Sequence, residues 1–281
     1  MIVVTGATGN IGRTLVPLLA EAGGEVVAVS RRPRPEGLPD GVRHVRADVG
    51  DSAGMRPVLE GADAFFVLLG GELNVSGESP AALLEAAVDA GVKRVVLLSS
   101  QSVATRPDSL SPARLRAFEE AVRAAGVDHT VLRPGGFASN AFAWAGTVRT
   151  ERTVYAPFGD VALPVVDPAD IAAVAAAALL EEGHAGRVYT LTGPRAVSPR
   201  EQAAALGEAL GEEVRFVELS REQAHAGMAR FMPEDAVTGT LDILGAPVPE
   251  ERTAGPDVER VLHRPARTFA DWAARNVEAF R

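Results

Sequence analysis

The sequence predicts an α/β fold, a doubly wound parallel sheet followed by a smaller C-terminal α/β lobe, and three observations predict it. Apolar runs near residues 2–5, 25–30, 43–47, 63–69, 94–99 and 128–133 alternate with helical patterns near 11–22, 52–60, 78–90 and 112–125, the rhythm of strand–helix–strand units that build parallel sheets. A glycine triplet, Gly6, Gly9 and Gly12, stands between the first apolar run and the first helical pattern. Beyond residue 135 the rhythm breaks, which divides the chain into a core of residues 1–135 and a second lobe of residues 136–281, with some segments returning to the core.

The first strand runs into Thr5-Gly6-Ala7-Thr8-Gly9-Asn10-Ile11-Gly12. One glycine permits the tight turn, one lets backbone approach a phosphate, and one lets the new helix pack on the sheet, whose N-terminus then favours an anion. Gly6, Thr8, Gly9, Asn10, Ile11 and Gly12 are therefore read as the seat of a dinucleotide pyrophosphate in a Rossmann-type unit. The second strand ends in Ser30-Arg31-Arg32, with no acid to hold the ribose hydroxyls. Two guanidiniums there suit a 2′-phosphate, so the expected cofactor is NADP(H) in preference to NAD(H). After the third strand, Asp48 can accept from an adenine amino group while the Val49 amide completes the pair, or Asp48 can cap the next helix. Leu69, Ser99 and Pro134 close the following strands, and right-handed crossovers should bring them into one crevice with Gly9, Arg31 and Asp48.

In the second lobe the pattern predicts a helix at 168–181, a strand near 188–191, a helix at 199–210, a strand near 214–218, a surface loop at 245–249 and a helix near 269–280. Ser198 followed by Pro199 is a strong helix start.

Composition narrows the function classes. With 281 residues and 47% hydrophobic content, the chain can bury a full core. No run of apolar residues reaches membrane-spanning length and no basic leader precedes the first strand, so no membrane association and a cytoplasmic location are expected. A net charge of −9 without a basic tail argues against nucleic acid as a partner. The chain has no cysteine, and its five histidines fall at no ligand spacing, so no metal site is expected. The remaining partner is a small molecule, with a homodimer through surface helices left open.

TGATGNIG after the first strand, SRR after the second, AD after the third, LLSS after the fifth and LRPGGFASN after the sixth, with VVDPADIA at 165–172, carry a resemblance over essentially the whole chain. The chain resembles the NmrA-like atypical short-chain dehydrogenase/reductases, including their NAD(P)H quinone oxidoreductase-like members. That resemblance implies a bound dinucleotide. It does not fix the reaction, because the family holds quinone reductases, other NADPH-dependent reductases and proteins that only sense the dinucleotide.

Short-chain reductases protonate their substrate with a Tyr activated by a Lys four residues on. Neither Tyr155 nor Tyr189 begins such a motif, and the one lysine, Lys93, precedes the fifth strand at the wrong end of the sheet. In the related quinone reductases a Lys or His often stands four residues before a Glu; that Glu resembles Glu119, which puts Leu115 at the basic position. The candidates left for catalysis are Ser100 and Gln101 at the mouth of the crevice, Tyr155 in the loop before the cleft aspartates, and His225, on a lobe helix that could bring it over the crevice. Ser99 serves equally as a strand-end hydrogen-bonding group and Asn140 as a cap. Phe137 is read as a cofactor contact, and with Phe142 and Trp144 either as an aromatic wall or as interlobe packing. Met228, Phe231 and Met232 share helical spacing with His225, a stripe more typical of core.

The expected function is hydride transfer from NADPH to a small apolar or aromatic carbonyl, enone or quinone. A non-catalytic redox sensor and a non-redox tailoring enzyme (epimerase, cyclase or dehydratase) stand as the alternatives.

Overall fold

The computed structural model describes residues 1–33, 36–70 and 76–281. The first half runs β1 (Ile2–Thr5), α1 (Gly12–Glu21), β2 (Val26–Ser30), β3 (Arg43–Arg46), α2 (Ser52–Leu59), β4 (Ala64–Leu68), α3 (Pro80–Asp89), β5 (Arg94–Leu98), α4 (Ser102–Thr105), α5 (Ala113–Ala124) and β6 (Asp128–Pro134). A 3₁₀ segment, Ala138–Trp144, leads into α6 (Ala145–Glu151), β7 (Thr153–Pro157), α7 (Pro168–Leu180), β8 (Arg187–Leu191), α8 (Pro199–Leu210) and β9 (Arg215–Leu219). The chain ends with α9 (Arg221–Met228), α10 (Glu234–Gly245), α11 (Pro249–Arg252), α12 (Asp257–Leu262), α13 (Phe269–Arg275) and a 3₁₀ turn, Val277–Phe280.

Seven strands form one parallel sheet in the order β3-β2-β1-β4-β5-β6-β8. Strand order reverses between β1 and β4, so a crevice opens beyond the C-terminal ends of those strands. β1, β2 and β4 are buried on both faces and read as continuous Val, Ala and Phe runs, as strands covered by helices on both sides must. One face packs Leu15 and Leu19 of α1 and the alanine-rich α7; the other packs Met55, Leu84 and Phe118 of α2, α3 and α5.

Two segments of the second half join this sheet. β8 pairs with β6 at the edge, Leu132 opposite Tyr189, and α7 is buried almost all round because its Ala-rich faces fit between sheet and α1. Asp167 caps α7 by accepting from the Ala169 N–H at 2.9 Å. α8 begins with a reciprocal cap between Ser198 and Glu201 and ends on Gly211 in the left-handed conformation, φ 72°.

β7 has no counterpart in the sequence pattern. It pairs in parallel with β9 in a separate two-stranded sheet, which covers the lobe core of Val148, Leu206, Trp272 and Phe280. The helix expected near 269–280 ends at Arg275 and tightens into the 3₁₀ turn. A smaller cluster, Ala224, Val237 and Leu241, holds α9 against α10.

Candidate active site

A cleft of about 770 Å³ runs along the C-terminal edge of the sheet. At one end lies the glycine loop. Gly6 sits at φ 64°, a left-handed conformation that glycine adopts without strain, and a Cβ there would lie 2.9 Å from Leu68 Cδ2. The Gly9 N–H closes the turn on the Gly6 carbonyl at 2.9 Å. A Cβ on Gly12 would collide with the Gly6 carbonyl and lie 2.5 Å from Ala7 Cα. α1 starts with neither a side-chain cap nor an acid in its first turn; the Arg13 and Thr14 N–H groups donate to the Gly9 and Ile11 carbonyls, so what its N-terminus leaves for an anion is the dipole and the N–H groups before Arg13. Asn10 Nδ2 donates to Ser139 Oγ at 2.5 Å, tying the loop to the 3₁₀ segment after β6.

Arg31 and Arg32 are exposed and line the cleft beside Gly9 and Asn10. Their backbone is fixed: Arg46 Nε donates to the Arg31 carbonyl at 3.0 Å, and Ser30 Oγ donates to the Arg32 carbonyl at 3.0 Å while bonding His44 Nε2 at 2.9 Å. Asp48 and Val49 line the same wall. Asp48 Oδ1 accepts from the Gly50 N–H at 2.9 Å, but the capping alternative does not hold, because Asp51 is the residue that accepts from the first turn of α2, at Gly54 N–H.

Thr8, Ile11, Leu69, Ser99 and Phe137 also line the cleft. Pro134 does not; it lines an adjoining cavity of about 180 Å³ with Gly135, Asn140 and Gln101, because β6 runs on beyond Leu132, its last residue paired with β5, and carries Pro134 along β8 instead. Gly12 lies beneath the loop rather than at the cleft, as its contacts with Gly6 and Ala7 require.

The far end is walled by Leu115, Phe137, Met232, Ala236 and Ile243, with the hydroxyls of Ser100, Ser102, Ser111 and Thr240. Ser99 is committed: its hydroxyl donates to Glu119 Oε1 at 2.6 Å. Glu119 is 1% exposed and also accepts from Arg133 Nε at 2.9 Å and Arg123 Nη2 at 2.7 Å. Burial would raise its carboxyl, but the bonds from Arg133, Ser99 and Arg123 outweigh that and hold it below the ordinary glutamate range. Leu115, one turn earlier on α5, faces the cleft where the resemblance puts a base.

Ser100 Oγ lies 2.8 Å from Ser102 Oγ. Gln101 is 8% exposed and its Nε2 donates to the Glu250 carbonyl at 2.8 Å, so this amide fastens the α11 segment.

Two catalytic candidates lie elsewhere. Tyr155 stands on β7, whose pairing with β9 carries it off the cleft; its hydroxyl donates to Glu151 Oε2 at 2.8 Å, a bond that raises the phenol above its usual range. His225 Nε2 lies 2.8 Å from Glu234 Oε1 on the outer side of the α9–α10 pair. The helix that reaches the cleft is α10, through Ala236, Thr240 and Ile243, whose spacing marks one face while Val237 and Leu241 bury the other. That two-faced pattern was the signal in the sequence for this wall. Of the sulfur and aromatic stripe, Met232 lines the cleft, Met228 packs on the α9–α10 cluster and Phe231 is 85% exposed. Phe142 lies with its ring centroid 4.9 Å from Trp272 and 5.9 Å from Phe280, and Trp144 packs on the same lobe core, so neither joins Phe137 in an aromatic wall.

Among the described residues no group of three or more His, Cys, Asp or Glu side chains converges on a metal position, and no helix is long and apolar enough to cross a membrane.

Comparison with known proteins agrees with this geometry. Residues 6–182 match the sequence profile of the NAD(P)H-binding family. The chain is 39% identical, over 100% of its own length and 99% of the relative's, to a (4-alkanoyl-5-oxo-2,5-dihydrofuran-3-yl)methyl phosphate reductase of Streptomyces griseus. It is 34% identical to an NAD(P)H azoreductase of Xenophilus azovorans, over 100% of this chain and 99% of that one. The solved NADPH complex of an Escherichia coli NADPH-dependent quinone oxidoreductase superposes with a TM-score of 0.82 at 26% identity, covering 98% of this chain and 99% of that one.

Proposed function

The chain belongs to the NAD(P)H-binding family and is an NAD(P)H-dependent oxidoreductase, and from that premise we propose that it uses NADPH in preference to NADH to reduce a flat acceptor whose carbonyl is conjugated, an enone or a quinone. Membership among enzymes sets aside the non-catalytic sensor as the reading of the cleft.

The residues fit a dinucleotide. In this reading the glycine loop and the N-terminus of α1 seat the pyrophosphate, in space that a side chain at Gly9 would take, while Gly12 lets the helix pack beneath the loop. Arg31 and Arg32, with backbone held by Arg46 and Ser30, meet the 2′-phosphate, and Asp48 with the Val49 amide meets the adenine. When bound, the cofactor supplies a hydride from its nicotinamide.

The observation that carries the choice of acceptor is the far wall. Among the described residues, the ionisable side chains that line the cleft are Arg13, Arg31, Arg32 and Asp48, all at the dinucleotide end. Leu115, Phe137, Met232 and Ile243 offer apolar faces that orient a flat molecule and exclude water, and among the described residues hydroxyls are the only proton-bearing side chains beside it. Without a Tyr/Lys pair, the reduced acceptor must delocalise its own charge, which conjugated carbonyls do and simple ketones do not. The similar Streptomyces reductase is named for a butenolide, an alkene conjugated to a lactone carbonyl, and the Escherichia coli enzyme for quinones, and both names support this reading.

The test is the loss of NADPH absorbance against matched enones, quinones and saturated ketones. Turnover of enones or quinones with saturated ketones inert is the expected result; preferential turnover of saturated ketones would overturn the acceptor assignment.

A further inference from the structure

We propose that Ser100 and Ser102 form a two-hydroxyl relay that delivers the proton completing the reduction, drawing it from water in a second cavity behind the acceptor end. The inference rests on the reading of that end given above.

Three observations carry it. Each hydride added to a conjugated carbonyl must be balanced by a proton, and among the described residues the acceptor end holds no carboxyl, imidazole, phenol or ammonium to give one. Of the two serines at the end of β5, Ser99 has spent its hydrogen on Glu119. Ser100 is not so committed: its Oγ accepts from the Ser102 N–H at 3.2 Å and lies 2.8 Å from Ser102 Oγ. A hydroxyl has two acceptor lone pairs and one hydrogen. The hydroxyl–hydroxyl bond can run either way; when Ser102 Oγ is its donor, both lone pairs of Ser100 are taken by Ser102 and the hydrogen of Ser100 is free for the cleft.

Behind the pair lies a cavity of about 270 Å³, which shares Ser102, Ser111, Pro112 and Ile243 with the main cleft. Its other walls carry Thr105, Ser109, Asp108 and Asp242. A cavity of that size with several donors and acceptors on its walls has the room and the partners for ordered water. Ser102 is therefore the shared wall between the reacting space and a water reservoir.

In the step, the hydride forms a C–H bond at the β-carbon of an enone and the carbonyl oxygen takes up the electron pair. The O–H bond of Ser100 breaks as its proton passes to that oxygen, the proton of Ser102 moves to Ser100, and water re-protonates Ser102. The net change is acceptor plus NADPH plus one proton, giving reduced acceptor and NADP⁺.

The test compares wild type, Ser102→Ala, Ser102→Thr and Ser100→Ala with one enone in H₂O and D₂O, alongside a crystal structure of the wild type. Ser102→Ala should lower kcat roughly tenfold and Ser100→Ala about a hundredfold, as loss of a positioned proton donor does. Acceptor KM should stay within about twofold for Ser102→Ala, the solvent isotope effect on kcat should change, and Ser102→Thr should restore both. The crystal structure should show an ordered water in the second cavity within hydrogen-bond distance of Ser102. Unchanged kcat and isotope effect in Ser102→Ala, or a dry second cavity, overturns the relay while leaving the acceptor assignment standing. A wild type that turns over no conjugated carbonyl overturns both.

Discussion

Glu251 grips Arg106 with both carboxylate oxygens, Oε1 at 2.9 Å from Nε and Oε2 at 2.7 Å from Nη2, while only 3% exposed itself. The same carboxylate accepts from Thr105 Oγ1 at 2.7 Å and from the Val248 N–H at 3.0 Å. This fastens the chain leaving α10 to the turn after α4, beside Ser100 and Ser102. Removing one partner of a buried, bidentate pair strands the other charge, a loss of roughly 3 kcal/mol. Arg106→Ala should therefore lower the chemical-denaturation free energy by about that amount and raise the acceptor KM, because α10 carries part of the acceptor wall. NADPH affinity should be unchanged, and a matched loss of NADPH affinity would show that the fastening serves the whole cleft.

Acid should unfold the protein through two buried carboxylates. For Glu251, as for Glu119, burial would raise the carboxyl, but hydrogen bonds from Arg106, Thr105 and the Val248 amide win and lower it. A group lowered in the folded state contributes stability that is complete above its unfolded value and is lost as pH falls through its folded value. Tm should thus be flat near neutrality and fall below about pH 4.3. Glu251→Gln should start lower at neutral pH and lose less on acidification, a comparison that a pH series of thermal melts makes directly.

Valine at Gly9 should displace the dinucleotide rather than the fold. Its Cβ would stand 3.1 Å from the Gly6 carbonyl, a contact the loop can relieve, and its methyls would fill the space over the turn. NADPH titration should show at least about a tenfold weaker Kd with Tm little changed. Gly12→Val differs, since its Cβ meets backbone on Gly6 and Ala7; it should destabilise the protein as a whole.

Replacing Arg31 and Arg32 with Ala should weaken NADPH about ten- to a hundredfold and NADH hardly at all, since a lost charge-assisted hydrogen bond costs roughly 1.5–3 kcal/mol. Equal losses for the two cofactors would remove the 2′-phosphate from the role of these arginines.

Leu115→His should add a titratable donor to a wall that has none among the described residues. A kcat profile that is flat between pH 6 and 8 in the parent should then acquire a dependence centred about pH 6.5, the ordinary imidazole value. An unchanged profile would mean that the α5 face is out of reach of the reacting atoms.

The meeting of Gly6, Gly9, Arg31, Arg32 and Asp48 on one cleft was legible because its determinants are local: the glycines answer to backbone geometry within one turn, and the other three follow from where parallel strands must end. The acceptor half was not, because its members meet only through tertiary folding. Ala236, Thr240 and Ile243 form a helix face beside the one that Val237 and Leu241 bury, but nothing local says what either face meets. Phe142 and Trp144 follow the sixth strand as a cleft residue would, yet the hydrophobic demand of Trp272 and Phe280, more than a hundred residues later, takes them into the lobe core. β7 escaped notice because Thr-Val-Tyr-Ala-Pro has neither alternation nor an apolar run, and its partner β9 lies beyond three intervening elements. Tyr155 was misplaced for the same reason.

The α9–α10 pair has a small hydrophobic centre of its own, leaves the two-stranded sheet after Leu219 and is secured again at Glu251. A segment that carries its own centre and is also held by Phe158 and by Arg106 at the Ala246 carbonyl can be exchanged as a unit if those anchors are kept. Transplanting residues 220–247 between relatives would recut one wall of the acceptor space and leave the glycine loop untouched, so that new substrate ranges can arise by cassette replacement on an unaltered hydride-donating frame.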